Sequence, residues 1–333
     1  MIGSYAFSLQ GASHVSADVP CQDASAALML QDNIWVAVVA DGLGSASRSA
    51  DGSRCAVTTV VSTLSGVLSK GEPFDFSEAP VLLEHAFSKA LIRIQDMANS
   101  EALPLAAFDT TLTACLFDGE NLVYGQVGDG GAVALCSDGL YRQVTTAQKG
   151  DAANQTVPLR GRAWWKFDMF EYKVISVALM TDGIYDVVCP SVLSNQAQPI
   201  YVAFIRPFLD NSLTHLNTAE DFEHMGNRAK SFIDGLPGSQ ISDDKSIAVL
   251  MNTDVLPPIQ SYPYYEVPDF KALHDERSRK LYKGLSEDTE SKASVDSDKE
   301  FPDVKEKSPS EEVDDFKEGV DSETLDGCGE DLQ

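Results

Sequence analysis

The feature that most constrains this chain is an apolar run that ends abruptly on a charge. In "NIWVAVVADGLGSAS" (residues 33–47), seven apolar residues are followed at once by Asp41 and Gly42. A continuous apolar run of this length before a glycine-rich turn predicts a buried strand. The same pattern returns in "VISVALMTDG", where Asp182 and Gly183 follow a second run. Burying a carboxylate at the end of a strand costs free energy. Two such strand ends therefore suggest that both aspartates serve the same function.

Strand and helix patterns are mixed along the rest of the chain. Apolar residues at helical spacing predict helices over about 49–68 and 80–99. Short β-rich runs separated by Asp-Gly and Gly-Gly turns predict an antiparallel meander over about 109–144. Thr218, followed by Asp221 three residues later, predicts the start of another helix. Because strands and helices do not alternate strictly, the order favours an α+β fold over a doubly wound parallel sheet.

The acidic charge of the chain is concentrated at its C-terminal end. The net charge is −26, and 18 acidic against 5 basic residues follow from Leu285 onward. The remaining body is moderately acidic, which excludes a generic binder of nucleic acid or of anionic membranes. A Ser, Glu, Asp and Lys tail with few aromatic residues is predicted to be disordered. We therefore divide the chain into a folded domain (1–253), a Pro/Tyr-rich surface segment or linker (254–284) and an acidic tail (285–333).

The expected location of the protein is the cytoplasm. The apolar runs are too short to span a bilayer, and "MIGSYAFSLQ" lacks the basic and apolar regions of a signal peptide. The six cysteines show neither CxxC pairs nor zinc spacing. In a chain without an export signal, such cysteines are most simply reduced thiols.

Five carboxylates share a placement at or near the edge of an apolar strand: Asp23, Asp41, Asp129, Asp182 and Asp243. Carboxylates that converge from several strand ends repel one another unless divalent cations neutralise them. Oxygen ligands without a His/Cys cluster favour Mg²⁺ or Mn²⁺ over zinc. Gly42 lets the backbone approach closely, so its carbonyl can also face an ion. The alternative for any single Asp-Gly pair is a plain turn, and spacing alone leaves both interpretations open.

Six motifs carry a resemblance to a known family. In chain order they are "PCQDA", "VAVVADGLG", "DTTLTACLF", "LVYGQVGDGGAVAL", "VALMTDGIYD" and "SDDKSIAVL". Each is weak alone, but together they resemble the motif set of the metal-dependent PP2C-type protein phosphatases over roughly residues 3–252. The resemblance implies a serine/threonine protein phosphatase of bacterial type. It also implies a four-layer αββα sandwich of two antiparallel sheets flanked by helices.

The resemblance also implies the roles of the metal-binding residues. Asp41 matches the aspartate that bridges two Mg²⁺ or Mn²⁺ ions, and the carbonyl of Gly42 completes the shell of one of them. Asp182 and Asp243 match the aspartates that hold the other ion. Asp129 matches the residue that, with Asp182, can hold a weaker third ion.

The mechanism implied by the resemblance needs no nucleophile from the protein. Asp23 matches the aspartate that hydrogen-bonds metal-bound water. Two metals lower the pKa of a bridging water, and the resulting hydroxide would attack a phosphate monoester in line, without a phosphoenzyme. The implied partners are a phosphoprotein substrate and, by resemblance only, a serine/threonine kinase or its targets.

Three positions depart from the family pattern. Gln22 stands where many members have glutamate, and Leu43 stands where the animal enzymes have a histidine proposed as general acid. The arginine that usually grips phosphate before the first aspartate is absent. His14, in the matching loop, is our hypothesis for a phosphate contact; the alternative is a surface or locally hydrogen-bonded histidine. Other candidate anion contacts are Arg48, Arg54, Arg160 and Arg162.

Residues 147–170 fall where the family has a variable flap beside the cleft. Within it, "RGRAWWKFD" combines cations with two tryptophans, a composition suited to gripping a partner peptide. The alternative is that the tryptophans pack the flap onto the body.

Two further interpretations belong to other functional classes. Gln22 and the missing arginine favour a pseudophosphatase that acts as a regulatory binding module. Retention of Asp41, Asp182 and Asp243 opposes it, because an adaptor has no need of this costly charge cluster. An acidic scaffold that acts through its tail would lose its function when residues 285–333 are removed.

Overall fold

The computed structural model describes residues 1–31, 33–69, 74–148 and 156–280. Within these ranges the chain forms ten strands: β1 Ile2–Leu9, β2 Ala24–Gln31, β3 Ile34–Ala40, β4 Leu112–Phe117, β5 Leu122–Val127, β6 Gly131–Cys136, β7 Tyr141–Gln143, β8 Lys166–Met169, β9 Val174–Met180 and β10 Lys245–Asn252. The same ranges contain the α-helices α1 Ala12–Ser16, α2 Ser49–Leu68, α3 Ala79–Ser100, α4 Asp182–Val188, α5 Val202–Leu209, α6 Asn211–Thr214 and α7 Ala219–Asp234, and residues 270–280 are also helical.

The strands form two five-stranded antiparallel sheets. The first has the order β1-β10-β9-β6-β7 and the second the order β2-β3-β4-β5-β8. In β3, Ala37 and Val39 pack between the sheets, whereas Val36 and Val38 pack against the helices. Because both faces of this strand are buried, its sequence is continuously apolar instead of alternating.

Helices cover the outer face of each sheet. The apolar faces of α2 and α3 pack on the second sheet, and α4, α5 and α7 pack on the first. The layers therefore follow the order helix, sheet, sheet, helix, with one core between the sheets and one under each helical layer. The predicted α+β fold and αββα sandwich are confirmed.

The helices predicted from periodicity lie close to their expected positions. α2 has the expected bounds, and α3 extends the predicted 80–99 by one residue at each end. At the start of α7, the Thr218 side chain accepts from the Asp221 N–H, and Asp221 in turn accepts from the Thr218 N–H. This reciprocal capping box satisfies backbone donors that a helix start leaves unpaired.

The Pro/Tyr-rich segment after β10 lies on the body of the first sheet. The hydroxyl oxygen of Tyr264 accepts a hydrogen bond of 2.7 Å from the backbone N–H of Tyr141 in the edge strand β7. Residues 1–278 form one compact unit, which includes the segment as far as residue 278. The domain boundary after residue 253 stays a prediction, and the predicted acidic tail (285–333) lies outside the described residues.

The helices and the cysteines bear on the expected location of the protein. In the part of the chain that the structure describes, none of the helices has the length and apolar character needed to cross a membrane. The five described cysteines are free thiols. The cytoplasmic location stays a prediction.

Candidate active site

The ends of several strands meet at a cleft of about 460 Å³ at one edge of the sandwich. Of the seven predicted site residues, His14, Asp41, Gly42, Asp182 and Asp243 line this cleft. Asp129 lies beside Asp41 and Asp182, while Asp23 lies deeper and interacts electrostatically with Asp41. The fold therefore brings all seven to one place, although 229 positions separate the first from the last.

Three of the aspartates form a tight cluster. One carboxylate oxygen from each of Asp41, Asp129 and Asp182 lies within 4.8 Å of the others. Burial, followed by the charges of Asp129 and Asp243, raises the pKa of Asp182 to about 7. Burial, followed by the charges of Asp23 and Asp182, raises the pKa of Asp41 well above its usual range. Such a cluster is unfavourable as three bare anions, and its oxygen-only donor set fits a hard divalent cation.

The backbone around Asp41 is fixed by hydrogen bonds to the strand beside it. Its N–H donates to Oγ1 of Thr111 (2.9 Å), and its carbonyl accepts from the Thr111 N–H (2.8 Å). The N–H of Gly42 donates to the carbonyl of Gln22 (3.1 Å). A Cβ at position 42 would lie 2.8 Å from that carbonyl oxygen and from the backbone of Ser49. Glycine is therefore required by the close approach of three chain segments.

The buried carboxylate of Asp23 has one hydrogen-bonded oxygen and one oxygen without a partner among the described residues. Its side chain is buried, and Oδ2 accepts a hydrogen bond of 2.8 Å from Oγ1 of Thr181. That hydroxyl oxygen also accepts from the N–H of Ser246 (3.0 Å). Oδ1 of Asp23 is buried with no hydrogen-bond partner among the described residues. Burial raises the pKa of Asp23 to about 7.

Asp129 lies in the tight turn between β5 and β6. Gly128 before it has a φ of +110°, a conformation that favours glycine. Oδ2 of Asp129 accepts a hydrogen bond from the hydroxyl of Thr156, which lies in the predicted flap. Oδ1 is buried without a partner in the part of the chain that is described. An orphaned buried carboxylate oxygen beside two other carboxylates is consistent with a ligand position for a cation.

His14 lies against two acidic residues at the start of β10. Its Nδ1 is 2.9 Å from Oδ1 of Asp244, but the angle between the two groups does not meet the geometry of a hydrogen bond. Its Nε2 is 3.9 Å from Oδ1 of Asp243. The carboxylate of Asp244 is buried and accepts the N–H groups of Gly11 and Gln22, each at 2.6 Å. Asp244 therefore ties the start of α1, the helix that carries His14, to the segment before β10 that carries Asp243.

Sequence reasoning did not find Asp244, Thr181 or Thr156. The available signals are the acidic pair that precedes β10 and the threonine directly before Asp182. Neither signal specifies a partner, because the atoms these residues bind lie far away along the chain.

One of the four candidate arginines lines the cleft, namely Arg160. Arg48 and Arg54 both pair with Asp51 at 2.7 Å. Arg162 lies over an indole ring, 5.2 Å from its centroid. Arg160 is thus the arginine whose position suits an anion bound beside the carboxylates.

The two tryptophans of the predicted flap have different surroundings. The indole N–H of Trp165 donates to the carbonyl of Leu159 (2.8 Å), and its ring packs edge-on against Phe87 and Phe167. Trp164 is 46% exposed. For Trp165 the structure thus agrees with packing of the flap onto the body. Residues 149–155 of the predicted flap lie outside the described residues.

Comparison with known proteins identifies the class to which this sandwich and its acidic cleft belong. The family model described as "Protein phosphatase 2C" matches residues 10–227, well over half of the chain. The chain belongs to the protein phosphatase 2C family, and the predicted class of enzyme, a serine/threonine protein phosphatase, is thereby confirmed. A curated relative, serine/threonine-protein phosphatase 3 of Escherichia coli (strain K12), is 29% identical over 249 residues, which cover 72% of this chain and 94% of the relative.

Solved structures show the same fold at low sequence identity. Serine/threonine phosphatase Stp1 from Staphylococcus aureus matches with a TM-score of 0.53 and 16% identity, covering 75% of this chain and 95% of Stp1. The catalytic domain of serine/threonine protein phosphatase PstP, solved in complex with two manganese ions, matches with a TM-score of 0.51 and 18% identity. That match covers 75% of this chain and 97% of the PstP chain.

Proposed function

We propose that this protein hydrolyses phosphoserine and phosphothreonine monoesters on other proteins with the help of Mg²⁺ or Mn²⁺. The observation that carries the proposal is the convergence of carboxylate oxygens from Asp41, Asp129 and Asp182 within 4.8 Å of one another. Burial and the neighbouring carboxylates raise the pKa of Asp41 and of Asp182, and a bound cation would relieve the repulsion that contributes to this shift. The name of the E. coli relative and the two manganese ions of the PstP complex support the same assignment.

The ligand assignment is carried over from the resemblance to the family, and it is supported by the convergence of these residues at the cleft. We assign Asp41 and the carbonyl of Gly42 to one ion, and Asp41, Asp182 and Asp243 to the second. Asp129 together with Asp182 would hold a weaker third ion. The two principal ions, when bound, would act as Lewis acids and lower the pKa of a shared water enough to give hydroxide at neutral pH, so that hydrolysis needs no phosphoenzyme.

The chain itself would orient water and phosphate. Thr181 fixes Oδ2 of Asp23, which leaves Oδ1 available to accept a hydrogen bond from a water molecule in the cleft. We retain His14 as a proposed phosphate contact through Nε2, because this ring lines the cleft beside Asp243.

The proposed partners follow from the reaction. Phosphoprotein substrates are implied by the class of enzyme, and a serine/threonine kinase or its targets would supply them. The cytoplasm remains the proposed location.

The test is hydrolysis of p-nitrophenyl phosphate and of a phosphothreonine peptide by the full chain. We expect turnover with added Mn²⁺ or Mg²⁺, loss of turnover with EDTA, and loss in the Asp182→Asn variant. The matched control is Asp118→Asn. Asp118 is also followed by glycine, but it caps a hairpin turn through Oδ1, which asparagine can reproduce; the bond that Oδ2 accepts from Asn121 is lost, at a site outside the cleft.

Two other outcomes of this assay would contradict the proposal. Turnover that resists EDTA and persists in Asp182→Asn would contradict the proposed chemistry. A chain that takes up Mn²⁺ but hydrolyses neither compound would be a binding module instead of an enzyme.

A further inference from the structure

The cleft presents few cations to a doubly charged phosphate group. Besides its metal-binding carboxylates, its described lining contains one arginine, Arg160, one histidine, His14, and no lysine. His14 lies against the carboxylates of Asp244 and Asp243, which offset any charge it carries. Arg160 lies elsewhere in the lining, in the flap after β7, and the phosphate-binding arginine expected near the N-terminus is absent from the sequence.

Arg160 is fixed in place through its backbone and its side chain. The N–H of Leu159 donates to the carbonyl of Thr110 (2.7 Å), which ties the preceding residue to the strand side of the cleft. The Nε–H of Arg160 donates to Oδ1 of Asp109 (2.7 Å). The carboxylate of Asp109 is largely buried, and its backbone carbonyl accepts from the N–H of Leu43 in the cleft wall. The guanidinium is therefore anchored to a rigid part of the site.

The anchored guanidinium still has donors to offer. The Nε–H of Arg160 donates to Asp109, whereas neither Nη1 nor Nη2 has a hydrogen-bond partner among the described residues. Two parallel N–H donors match the spacing of two oxygens on a phosphate group, and such charge-assisted pairs are strong and directional. The hydrogen bond that Arg160 donates to Asp109 raises the pKa of Arg160, so the side chain stays fully charged. About half of the side chain is exposed, which leaves room for an incoming anion.

We propose that Arg160 binds the phosphoryl group of the substrate, with Asp109 as its positioning residue. This inference rests on the proposed function and adds a specific residue to it. The ligand class is a phosphate monoester dianion, and inorganic phosphate, the product, would occupy the same position. A cation held on the flap replaces the arginine that the N-terminal loop lacks.

The test compares Arg160→Ala, Arg160→Lys and a matched control in the Mn²⁺-loaded full chain. The control is Arg228→Ala, which removes an exposed cation on α7 that does not line the cleft. Charge-assisted hydrogen bonds of this kind predict a KM for a phosphothreonine peptide that is roughly 10- to 100-fold higher in Arg160→Ala, with a smaller change in kcat. Arg160→Lys should recover part of the loss, and Arg228→Ala should match the wild type.

Binding of inorganic phosphate supplies a readout that does not depend on turnover. Calorimetric titration of phosphate into the Mn²⁺-loaded protein should show weaker binding in Arg160→Ala by the same factor as the rise in KM. Equal phosphate affinity and equal KM in wild type and Arg160→Ala, with the fold intact by thermal melting, would overturn the inference. If Arg160→Ala melts at a lower temperature than the wild type, Arg160→Lys serves as the folded comparison, because it keeps a cation beside Asp109. Wild-type phosphate affinity in Arg160→Lys would then overturn the bidentate contact.

The positioning role of Asp109 is tested by a double-mutant cycle. Asp109→Asn should raise KM, and the Asp109→Asn/Arg160→Ala double variant should be no worse than Arg160→Ala alone. Additive effects would contradict positioning and indicate a purely structural role for Asp109.

Failure of this inference is distinguishable from failure of the proposed function. Uptake of Mn²⁺ by Arg160→Ala should equal that of the wild type, because Arg160 holds no ion. If the wild type neither takes up Mn²⁺ nor hydrolyses phosphate esters, the proposed function fails. If it does both and Arg160→Ala is unchanged, only the inference fails.

Discussion

Carboxyl groups in the cleft make the metal-free protein sensitive to pH. The pKa values of Asp23 and Asp182 are raised from 3.8 to about 7, chiefly by burial, and that of Asp41 is also raised. A carboxyl group with a raised pKa binds its proton more tightly in the folded state than in the unfolded state. Its contribution to stability is therefore fully present below its ordinary pKa and is lost as the pH rises through the folded-state value.

We expect the Tm of the EDTA-treated protein to fall between about pH 4 and about pH 7 as these groups ionise. Asp182→Asn removes one of the charges, so its Tm should fall less over the same window, and Asp118→Asn should follow the wild type. Added Mn²⁺ should reverse most of the fall at pH 7. Differential scanning fluorimetry over this range checks the prediction, and a Tm difference between wild type and Asp182→Asn that does not change with pH would contradict it.

Single residues were predictable from the sequence where the local pattern itself carries the information. Asp41 and Asp182 are recognisable because each ends an apolar run and precedes glycine. Asp244, Thr181 and Asp109 were not predicted, because their roles depend on groups that are distant in the chain. The carboxylate of Asp244, for example, binds the N–H of Gly11, 233 residues away. No local spacing encodes such a contact.

At the scale of elements, the junction of β9 and α4 determines where Asp182 lies. A Cβ at Gly183 would be 2.2 Å from the backbone carbonyl oxygen of Asp244, so glycine lets α4 begin directly against the segment before β10. The two elements that carry Asp182 and Asp243 are therefore in close backbone contact. Any residue larger than glycine at position 183 must push them apart.

We expect Gly183→Ala to destabilise the fold by about 1–3 kcal/mol through overpacking and to weaken Mn²⁺ uptake by displacing Asp182. The matched control is Gly66→Ala in α2, where a Cβ meets nothing within 4 Å and helix propensity favours alanine. Chemical denaturation and calorimetry with Mn²⁺ measure the two effects. Wild-type stability and affinity in Gly183→Ala would show that this contact does not position the site.

Elements with strong periodicity were predictable, and short ones were not. α2 and α3 have long apolar stripes, and their predicted bounds agree with the structure to within one residue. α5 contains Pro207, a residue that opposes a helix interior, yet its buried Ile205 and Phe208 pack on the first sheet. Tertiary packing overrides local propensity in such a segment, so the sequence alone gave no reason to place a helix there.

At the scale of the whole molecule, the segment that follows β10 contributes contacts to the folded body. The guanidinium of Arg206 in α5 lies 3.7 Å from the ring centroid of Tyr265, and Phe270 packs edge-on against Tyr201. Tyr264 accepts a backbone hydrogen bond from the edge strand β7 and so covers part of the edge of the first sheet, while the other two contacts attach the segment to Arg206 of α5 and to Tyr201. None of these residues lies in the cleft.

Two truncated chains separate folding from catalysis. A chain of residues 1–284 should keep wild-type Tm, Mn²⁺ uptake and turnover, because no proposed site residue follows Asp243. A chain of residues 1–253 should keep the site but melt at a lower temperature, because it loses Tyr264, Tyr265 and Phe270. Loss of turnover in the longer chain would support a scaffold that acts through its tail. An unchanged Tm in the shorter chain would show that the domain ends at residue 253.

The architecture as a whole was predictable from the order of the six motifs, whereas the pairing of strands was not. β1 pairs with β10, so that Ile2 lies opposite Asn252. A sequence pattern specifies that a strand exists and which faces are buried, but the pairing depends on contacts between distant segments. The position of the cleft follows from the pairing of β10 with β9, in which Ile247 lies opposite Met180, because this pairing brings Asp243 beside Asp182.

The central claim is that the acidic cluster binds divalent ions, and calorimetric titration of Mn²⁺ into the metal-free protein tests it most directly. We predict uptake of two ions per chain by the wild type and a clear loss of affinity in Asp41→Asn, with a circular dichroism spectrum unchanged from that of the wild type. Absence of Mn²⁺ and Mg²⁺ uptake by the folded wild-type protein would contradict the claim.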